Sequence, residues 1–498
     1  MIRVLAALAA LPALGPLTAW AHGFDERYDL PAPLAWFVAG ASLSIALTFV
    51  FAMFFARSAP VPGEQQAPEK WLRAGPALQV PGVICRAAAL LLFLVTIAAA
   101  LWGTGDPMMN LAPTFVWIIW WVGLSLLVAC VGNIWPVLDP WRTLFALMDH
   151  ATRRLGRPEG LSLGWHWPPG AGVWPAVALL LAWSWLEVVY PVAATPYRLG
   201  LTLLAWSAVT LTGMVCFGRK TWQRHVDVFA IYFNTLGRMA PLGAAQRTNG
   251  IAIRMPGTAL ITTGADAPSE PSAPAGSAGF VVAMLSTVLF DGLHGGQAWL
   301  LLEQLLKQTM PRMMDINGYF AGTVGLVGVW LLFFAAYQLT CFFTAALTRD
   351  ASGARIALRF APTLVPIAVA YNVAHNFSSL MIQGQNAMSL LSDPFGWRWN
   401  LFGTAQLHAN IGLVDARLTW HVAVGAIVAG HAIAVWLAHR VALRDAASPR
   451  QAVLASLPLT VLMIAYTAIS LSVIAEPMVT FEPAAPGASI RPMKADIA

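Results

Sequence analysis

The sequence of 498 residues is poor in charge: Asp, Glu, Lys and Arg make up 10% of it, whereas hydrophobic residues make up 58%. Because a soluble domain carries about 25% charged residues, this composition excludes an ordinary water-soluble globular protein. The basic excess, a formal net charge of +6, is gathered in short segments between apolar runs. That distribution is typical of membrane topology. We therefore predict an all-α, polytopic helical membrane protein with no nucleic-acid partner.

Cysteine is also scarce. The four cysteines, Cys85, Cys130, Cys216 and Cys341, all lie within apolar runs and are far apart in the sequence. They form no C-x-x-C pair and no C-x-x-C-H motif for covalent haem. Their spacing therefore indicates neither a cysteine metal site nor a set of disulfides.

The first 21 residues have the order of a secretory signal peptide, with Arg3, the apolar stretch VLAALAALPALGPL and then AWA. Prolines 12 and 16 shorten its helical part below the roughly 20 residues that a span needs. We therefore favour cleavage over an uncleaved first helix. Cleavage after Ala21 makes His22 the first residue, whose amino and ring nitrogens can together chelate a copper ion.

Ten further apolar runs are long enough to span a membrane. They lie at about 34–56, 83–103, 112–133, 172–190, 199–217, 279–300, 320–346, 361–383, 418–439 and 452–474. With the mature N-terminus outside, twenty basic residues fall in the inside segments and eight in the outside ones. The positive-inside rule therefore predicts a multi-pass protein of the bacterial inner membrane with a periplasmic N-terminus.

The order of these runs suggests two helical bundles. After the signal peptide 1–21 we predict a first bundle over 22–240, a flexible cytoplasmic linker over 241–278, a second bundle over 279–475 and a periplasmic tail over 476–498. The linker contains the Pro- and Ala-rich stretch GADAPSEPSAPAGSAG, which cannot bury a core. Two inside segments, WRTLFALMDHATRRLG and TWQRHVDVFAIYFNTLGRM, alternate apolar and basic residues as surface helices do.

Ionisable side chains inside the membrane are costly and usually functional, and here they gather at one depth. With a rise of about 1.5 Å per residue, His294 lies about 6 Å, His375 about 9 Å and His421 about 5 Å below the outer boundary. Asp291 lies one turn deeper than His294 on the same helix face. The four residues come from three helices and are predicted to form one metal site, with zinc or copper as the metal.

Several interpretations of this cluster stay open. A metal-bound hydroxide would make the site hydrolytic, with Asp291 and His294 as catalytic residues. The same histidines could instead bind copper or haem b in metal handling or electron transfer. They could also carry protons or ions in a transporter. Separate interhelical hydrogen bonds with no shared site are the plainest alternative.

Five other polar residues are secondary candidates. Glu187 near the periplasmic end of the fourth run is a further acid/base candidate or an interface residue. Asn372 and Asn376 flank His375 and can line the site or join helices. His431 lies about 15 Å deeper than His421 and suits a proton relay or a structural hydrogen bond. His408 lies in a long aromatic outer loop that could cover the site.

The N-terminal sequence AHGFDERYDLPAPL, together with length and hydropathy, resembles a family of bacterial multispanning membrane proteins known as fenitrothion hydrolase. The resemblance implies hydrolysis of an organophosphorus triester, with the lipid bilayer and a small apolar substrate as partners; a partner subunit is also compatible. It supplies no catalytic motif, and the H-x-H pair of soluble phosphotriesterases does not occur here. A metal-dependent membrane-bound hydrolase is the leading expectation, with the copper or haem protein and the transporter as alternatives.

Overall fold

The computed structural model describes residues 33–55, 70–73, 79–244, 250–262, 273–315, 319–349 and 352–475. Helices dominate these residues, which confirms the predicted all-α polytopic fold. The predicted signal peptide, His22 and the predicted tail 476–498 lie outside the described residues.

The helices of the N-terminal half are α1 (Leu34–Phe55), α2 (Gln79–Trp102), α3 (Leu111–Cys130), α4 (Trp135–Leu138), α5 (Pro140–Arg154), α6 (Trp174–Val188), α7 (Pro196–Phe217), α8 (Arg219–His225), α9 (Val228–Gly237) and α10 (Thr258–Thr262). Those of the C-terminal half are α11 (Ser277–His294), α12 (Gln297–Thr309), α13 (Pro311–Asp315), α14 (Phe320–Thr348), α15 (Gly353–Phe360), α16 (Val365–Gln383), α17 (Asn386–Ser392), α18 (Ala416–Asp445) and α19 (Pro449–Ala475). Short 3-10 turns lie at Ala361–Leu364, between α15 and α16, and at Ile411–Leu413.

Nine helical segments of the described residues are long and apolar enough to cross a membrane. They match nine of the ten predicted runs, and α15 and α16 together form one of them. The tenth run corresponds to α6, a shorter apolar helix of 15 residues. Because such a helix is only about 22 Å long, it is shorter than a hydrocarbon core of about 30 Å.

The central part of α3 is a π-helix over Thr114–Gly123. π-helical turns are rare and often mark functional positions, because the wider turn redirects side chains. Here the indole of Trp121 reaches Glu187 on α6. The apolar run 112–133 predicts this span but not its π-helical centre.

Helices from the two halves of the chain are interleaved. α1 packs against α18 and α19, the π-helical part of α3 contacts α16, and α6 packs against α11. The predicted bundles 22–240 and 279–475 therefore share packing contacts. Small residues permit the close approach: a Cβ at Gly430 on α18 would lie 2.7 Å from the carbonyl oxygen of Pro366 on α16.

The predicted flexible linker 241–278 contains regular structure in its described part. A three-stranded antiparallel sheet has its strands in the order β1-β3-β2. Its strands are β1 (Lys70–Arg73), β2 (Leu242–Ala244) and the central β3 (Gly250–Ile253). α10 follows β3 and contacts α18. Pairing with a strand far away in the sequence is a tertiary interaction, which local composition does not reveal.

The two ends of the helical body differ in charge. Arg142 on α5, Arg219 on α8 and Arg444 on α18 line one cavity, and we call this end the basic end. Ser277, at the start of α11, lines the same cavity. α11 therefore runs away from the basic end and finishes at His294, at what we call the histidine end.

The two predicted surface helices both lie at the basic end. The first is α5, which buries Trp141 and Phe145 and exposes its basic residues Arg153 and Arg154. The second is divided at Asp227 into α8 and α9. α9 buries Phe229 and Phe233 completely and so packs into the protein instead of lying on its surface.

Candidate functional site

A carboxylate–imidazole pair joins α11 and α16 at the centre of the predicted cluster. The Oδ2 atom of Asp291 lies 2.8 Å from Nε2 of His375. The side chain of His375 is 6% exposed, whereas that of Asp291 is 32% exposed. The imidazole is therefore enclosed by the protein, and the carboxylate is the member of the pair that reaches accessible space.

Gly292 makes the close approach of α11 and α16 possible. A Cβ at this position would lie 2.9 Å from the hydroxyl oxygen of Tyr371 and 3.2 Å from Cγ1 of Val473. The ring of Tyr371 stacks on that of His375, with centroids 6.4 Å apart. The absence of a side chain at residue 292 thus leaves room for the Tyr371 hydroxyl next to the pair.

A second carboxyl group faces the pair from α6. Glu187 interacts electrostatically with Asp291, and its Oε2 atom accepts a hydrogen bond of 2.9 Å from Nε1 of Trp121. The π-helix of α3 positions this indole. Glu187 therefore lies near Asp291 and is held by a hydrogen bond from Trp121.

Further polar groups continue from Glu187 toward α16. The Tyr232 hydroxyl on α9 interacts with Ser125, Asn372 and Glu187. The side-chain amide of Asn376 donates a long hydrogen bond of 3.5 Å to Oδ1 of Asn372. Both predicted asparagines thus belong to the polar surroundings of His375, and Asn372 also joins α16 to α9.

His294 occupies an aromatic environment at the end of α11. Its ring lies 5.2 Å from that of Trp299 and 5.5 Å from that of Phe290, measured between centroids. It interacts electrostatically with Asp291. His294 therefore borders the pair and is held mainly by aromatic packing.

The structure does not bring the remaining predicted histidines into this site. His421 is exposed, and its Nδ1 atom lies 2.7 Å from the carbonyl oxygen of Arg417 in its own helix. His408 is exposed in the loop before α18. Equal depth in the membrane places residues on one level, but only helix rotation and packing decide whether they meet.

His431 packs near Tyr466, whose hydroxyl donates a hydrogen bond of 3.3 Å to the carbonyl oxygen of Leu285. Tyr371 interacts electrostatically with Tyr466 on α19, and the ring of Tyr466 lies 5.7 Å from that of His431. The Nδ1 atom of His431 lies 2.8 Å from the carbonyl oxygen of Ile427. Its Nε2 atom is buried and has no hydrogen-bond partner among the described residues.

These side chains form a row that we call the polar chain: Asp291, His375, Tyr371, Tyr466 and His431. It leads from the accessible carboxylate into the interior between α11, α16, α18 and α19. Neither tyrosine was predicted as a site residue. The available signal was spacing, because Tyr371 lies one helical turn before His375.

The residues do not fit the predicted metal centre. Within the described part of the chain, no group of three or more His, Cys, Asp or Glu side chains is placed to hold a metal ion. Asp291 and His375 approach each other directly, at hydrogen-bonding distance.

The tryptophans near Glu187 pack against one another. Trp120, Trp121 and Trp183 have ring centroids within 6.4 Å of each other, and Trp183 is almost fully buried. Phe229 also contacts all three rings. These aromatics fill the interior around the site.

The fold and the site define a multi-pass helical membrane protein with a paired carboxylate and imidazole in its interior. Comparison of the chain with protein families, with curated proteins and with solved structures gives no match. The site geometry is therefore the basis for the functional proposal below.

Proposed function

We propose that this protein is a proton-coupled membrane transport protein and that the Asp291–His375 pair is its protonation site. The main support for this proposal is the difference in exposure between Asp291 and His375. In a hydrolytic triad the imidazole is presented to the substrate and the carboxylate is enclosed behind it. Here the order is reversed, because His375 is enclosed and Asp291 is accessible. Asp291 is thus the group that exchanges a proton, and His375 stabilises its charge.

Glu187 supports the same function. Two neighbouring carboxyl groups in a low-dielectric interior repel each other when both are ionised, so one proton shared between them is favourable. Trp121 donates to Glu187 and leaves Asp291 to interact with His375. Asp291, His375 and Glu187 can therefore hold a proton and pass it from one to another inside the protein.

The polar chain gives that proton a route. Tyrosine hydroxyls and imidazoles both donate and accept hydrogen bonds, and chains of such groups relay protons in membrane proteins. The Tyr371 hydroxyl and Nε2 of His431 are buried polar atoms with no hydrogen-bond partner among the described residues. Such atoms usually bond to water, which would complete a relay from Asp291 toward His431.

The distribution of charge supports an orientation. Because basic residues concentrate on the cytoplasmic side, the basic end would face the cytoplasm and the histidine end the periplasm. In a bacterial inner membrane, protons would then enter at Asp291 from the periplasm. The lipid bilayer is the partner of the apolar helix surfaces, and the transported substrate would be a small molecule.

Proton flux into liposomes tests this proposal. Purified protein is reconstituted with a pH-sensitive dye inside, and a potassium diffusion potential is imposed. We expect proton entry well above that of empty liposomes and a loss of at least about tenfold in Asp291→Asn, which cannot ionise. Glu159→Gln, which removes an exposed carboxylate at the basic end, is the matched control and should conduct like the wild type. Equal flux in the wild type and in Asp291→Asn would refute the protonation site.

Hydrolysis of an organophosphorus triester is the second candidate. It is supported by the accessible oxygen of Asp291 beside Glu187, which suits a general base and a general acid, and by the N-terminal resemblance. Release of nitrophenol from fenitrothion by purified protein, abolished in Asp291→Asn, would favour it. Proton flux without nitrophenol release would favour transport.

A further inference from the structure

A large cavity opens at the basic end. Its volume is about 1050 Å³, at the upper limit of the roughly 300–1,000 Å³ typical of small-molecule sites. It lies between α5, α8, α9, α11, α15 and α18, so it is formed by both halves of the chain.

The lining of this cavity is cationic on one side and apolar on the other. Eight of its residues are Arg or Lys, and none of the described lining residues is acidic. Arg219 and Arg359 are half-buried, whereas Arg355 is exposed at the mouth. Phe280 and Val281 on α11 form part of the apolar wall.

Among the residues that the structure describes, neighbouring carboxyl groups balance the cations only in part. Asp139 accepts a hydrogen bond of 2.8 Å from Gln223 and interacts with Arg142. Burial raises the pKa of Asp227 to about 8, with a further contribution from Asp139, so Asp227 is largely protonated at neutral pH. Asp149, which interacts with Arg219, is already paired with Arg153 at 2.9 Å.

The like charges interact with one another. Burial lowers the pKa of Arg142. The neighbouring positive charge of Arg219 lowers it further, whereas the negative charge of Asp139 raises it. To set the orientation of the protein in the membrane, basic residues need only lie on one side of it. They need not share a concave, half-buried site, where their mutual repulsion costs free energy.

We infer that the basic cavity binds a ligand that carries two or more phosphate groups and an apolar portion. Arginine guanidinium groups form paired hydrogen bonds with phosphate oxygens, and the wall formed by Phe280 and Val281 accepts an apolar group. An anionic lipid headgroup with its acyl chain and a soluble phosphorylated metabolite share this chemistry. Basic pockets at the cytoplasmic ends of helices are suited to lipid headgroups such as cardiolipin. The inference is independent of the proton-transfer proposal, since it uses none of the residues of the polar chain.

Calorimetric titration with inorganic diphosphate tests the site. The full-length protein is placed in nanodiscs of phosphatidylcholine, which supply no anionic lipid. We expect saturable binding that weakens with salt and becomes about tenfold weaker in Arg219→Gln and in Arg355→Gln, since each loses one charged hydrogen-bond donor. Arg355 is exposed, so its variant is expected to fold even if Arg219→Gln does not.

Arg154→Gln is the matched control. Arg154 is exposed at the same end, has the same charge and does not line the cavity. The variant should bind diphosphate like the wild type. Equal weakening in Arg154→Gln and Arg355→Gln would show a diffuse surface effect and would overturn the inference.

A second experiment shows whether the phosphate groups belong to a lipid or to a soluble ligand. The titration is repeated in nanodiscs that contain cardiolipin. Competition that weakens diphosphate binding in the wild type but not in Arg355→Gln supports a lipid ligand. Unchanged binding supports a soluble ligand in the same site. The inference would be overturned for both sources if the protein binds no diphosphate in phosphatidylcholine nanodiscs and retains no cardiolipin when it is extracted from the membrane.

Discussion

The two ends of the helical body use ionisable residues in opposite ways. At the histidine end, Asp291 is paired with His375, and Glu187 accepts a hydrogen bond from Trp121. At the basic end, eight Arg and Lys side chains line one cavity, and none of its described lining residues is acidic. A paired site needs no ligand to be stable and can exchange a proton. A cavity of like charges is stabilised most when an anion binds in it.

This difference gives distinct expectations for substitutions. Removing one member of a buried pair leaves a charge or a polar group without its partner, which destabilises the protein. Removing one of several like charges relieves repulsion and should leave stability unchanged or raise it, while it weakens anion binding.

The largest loss of stability at a fixed pH is expected from His375→Leu. This change leaves Asp291 without its imidazole and should lower the free energy of unfolding by about 3 kcal/mol, near the lower limit for a broken buried pair because Asp291 is partly exposed. Equilibrium unfolding in mixed micelles measures the loss. The double variant His375→Leu/Asp291→Asn should recover part of it, and additive losses would contradict the pairing.

A somewhat smaller loss is expected from Gly292→Ala. The added methyl group would press on Tyr371 and Val473, and overpacking of this kind costs about 1–3 kcal/mol. Gly328→Ala on α14 is the control, because a Cβ there meets nothing within 4 Å. That variant should keep or slightly raise stability, as alanine favours the helix. Similar losses in both variants would show that residue 292 is not a special point of contact.

Asp227 is expected to make stability depend on pH at the basic end. Burial raises its folded-state pKa to about 8, so the folded protein keeps a proton that the unfolded chain releases above its ordinary carboxyl pKa. Stability should therefore fall as the pH rises from about 4 to about 8, by up to about 1.4 kcal/mol per pH unit. Asp227→Asn keeps a side-chain oxygen that can cap α9 and should flatten this dependence in thermal unfolding at pH 5, 6, 7 and 8. An unchanged dependence would contradict this role of Asp227.

The smallest effect is expected from Trp121→Phe. The change removes the donor to Glu187 and keeps most of the aromatic packing, so a loss of about 1–2 kcal/mol is expected. Trp117→Phe is the comparison, because Trp117 donates a longer bond of 3.3 Å to the carbonyl oxygen of Ala193. Proton flux should fall in Trp121→Phe and not in Trp117→Phe. A fall in both would indicate a general packing effect.

Hydropathy predicted most of the fold, because a span of a given length needs an apolar run that the sequence displays. The exceptions depend on tertiary contacts. The strand Gly250–Ile253 pairs with Lys70–Arg73, far away in the sequence. The π-helix at Thr114–Gly123 has no marker in an apolar run of tryptophan and isoleucine.

The site could be predicted only in part. Depth arithmetic placed Asp291 and His375 at one level, and the structure brings them together. The same arithmetic included His421, which is exposed and bonded within its own helix. Depth says nothing about the direction in which a side chain points. The arginines of the basic cavity indicated only membrane orientation in the sequence, since their convergence depends on how helices from both halves of the chain pack together.

Infrared difference spectroscopy between low and high pH is the most direct test of the protonation site. If Asp291 exchanges a proton, the wild-type protein in liposomes should show a carboxyl band that changes with pH, and this band should be lost in Asp291→Asn. The band should shift in frequency and titrate at a different pH in His375→Gln, because the partner of the carboxylate changes. A carboxyl band that is identical in the wild type and in Asp291→Asn would contradict the proposal that Asp291 is the protonation site.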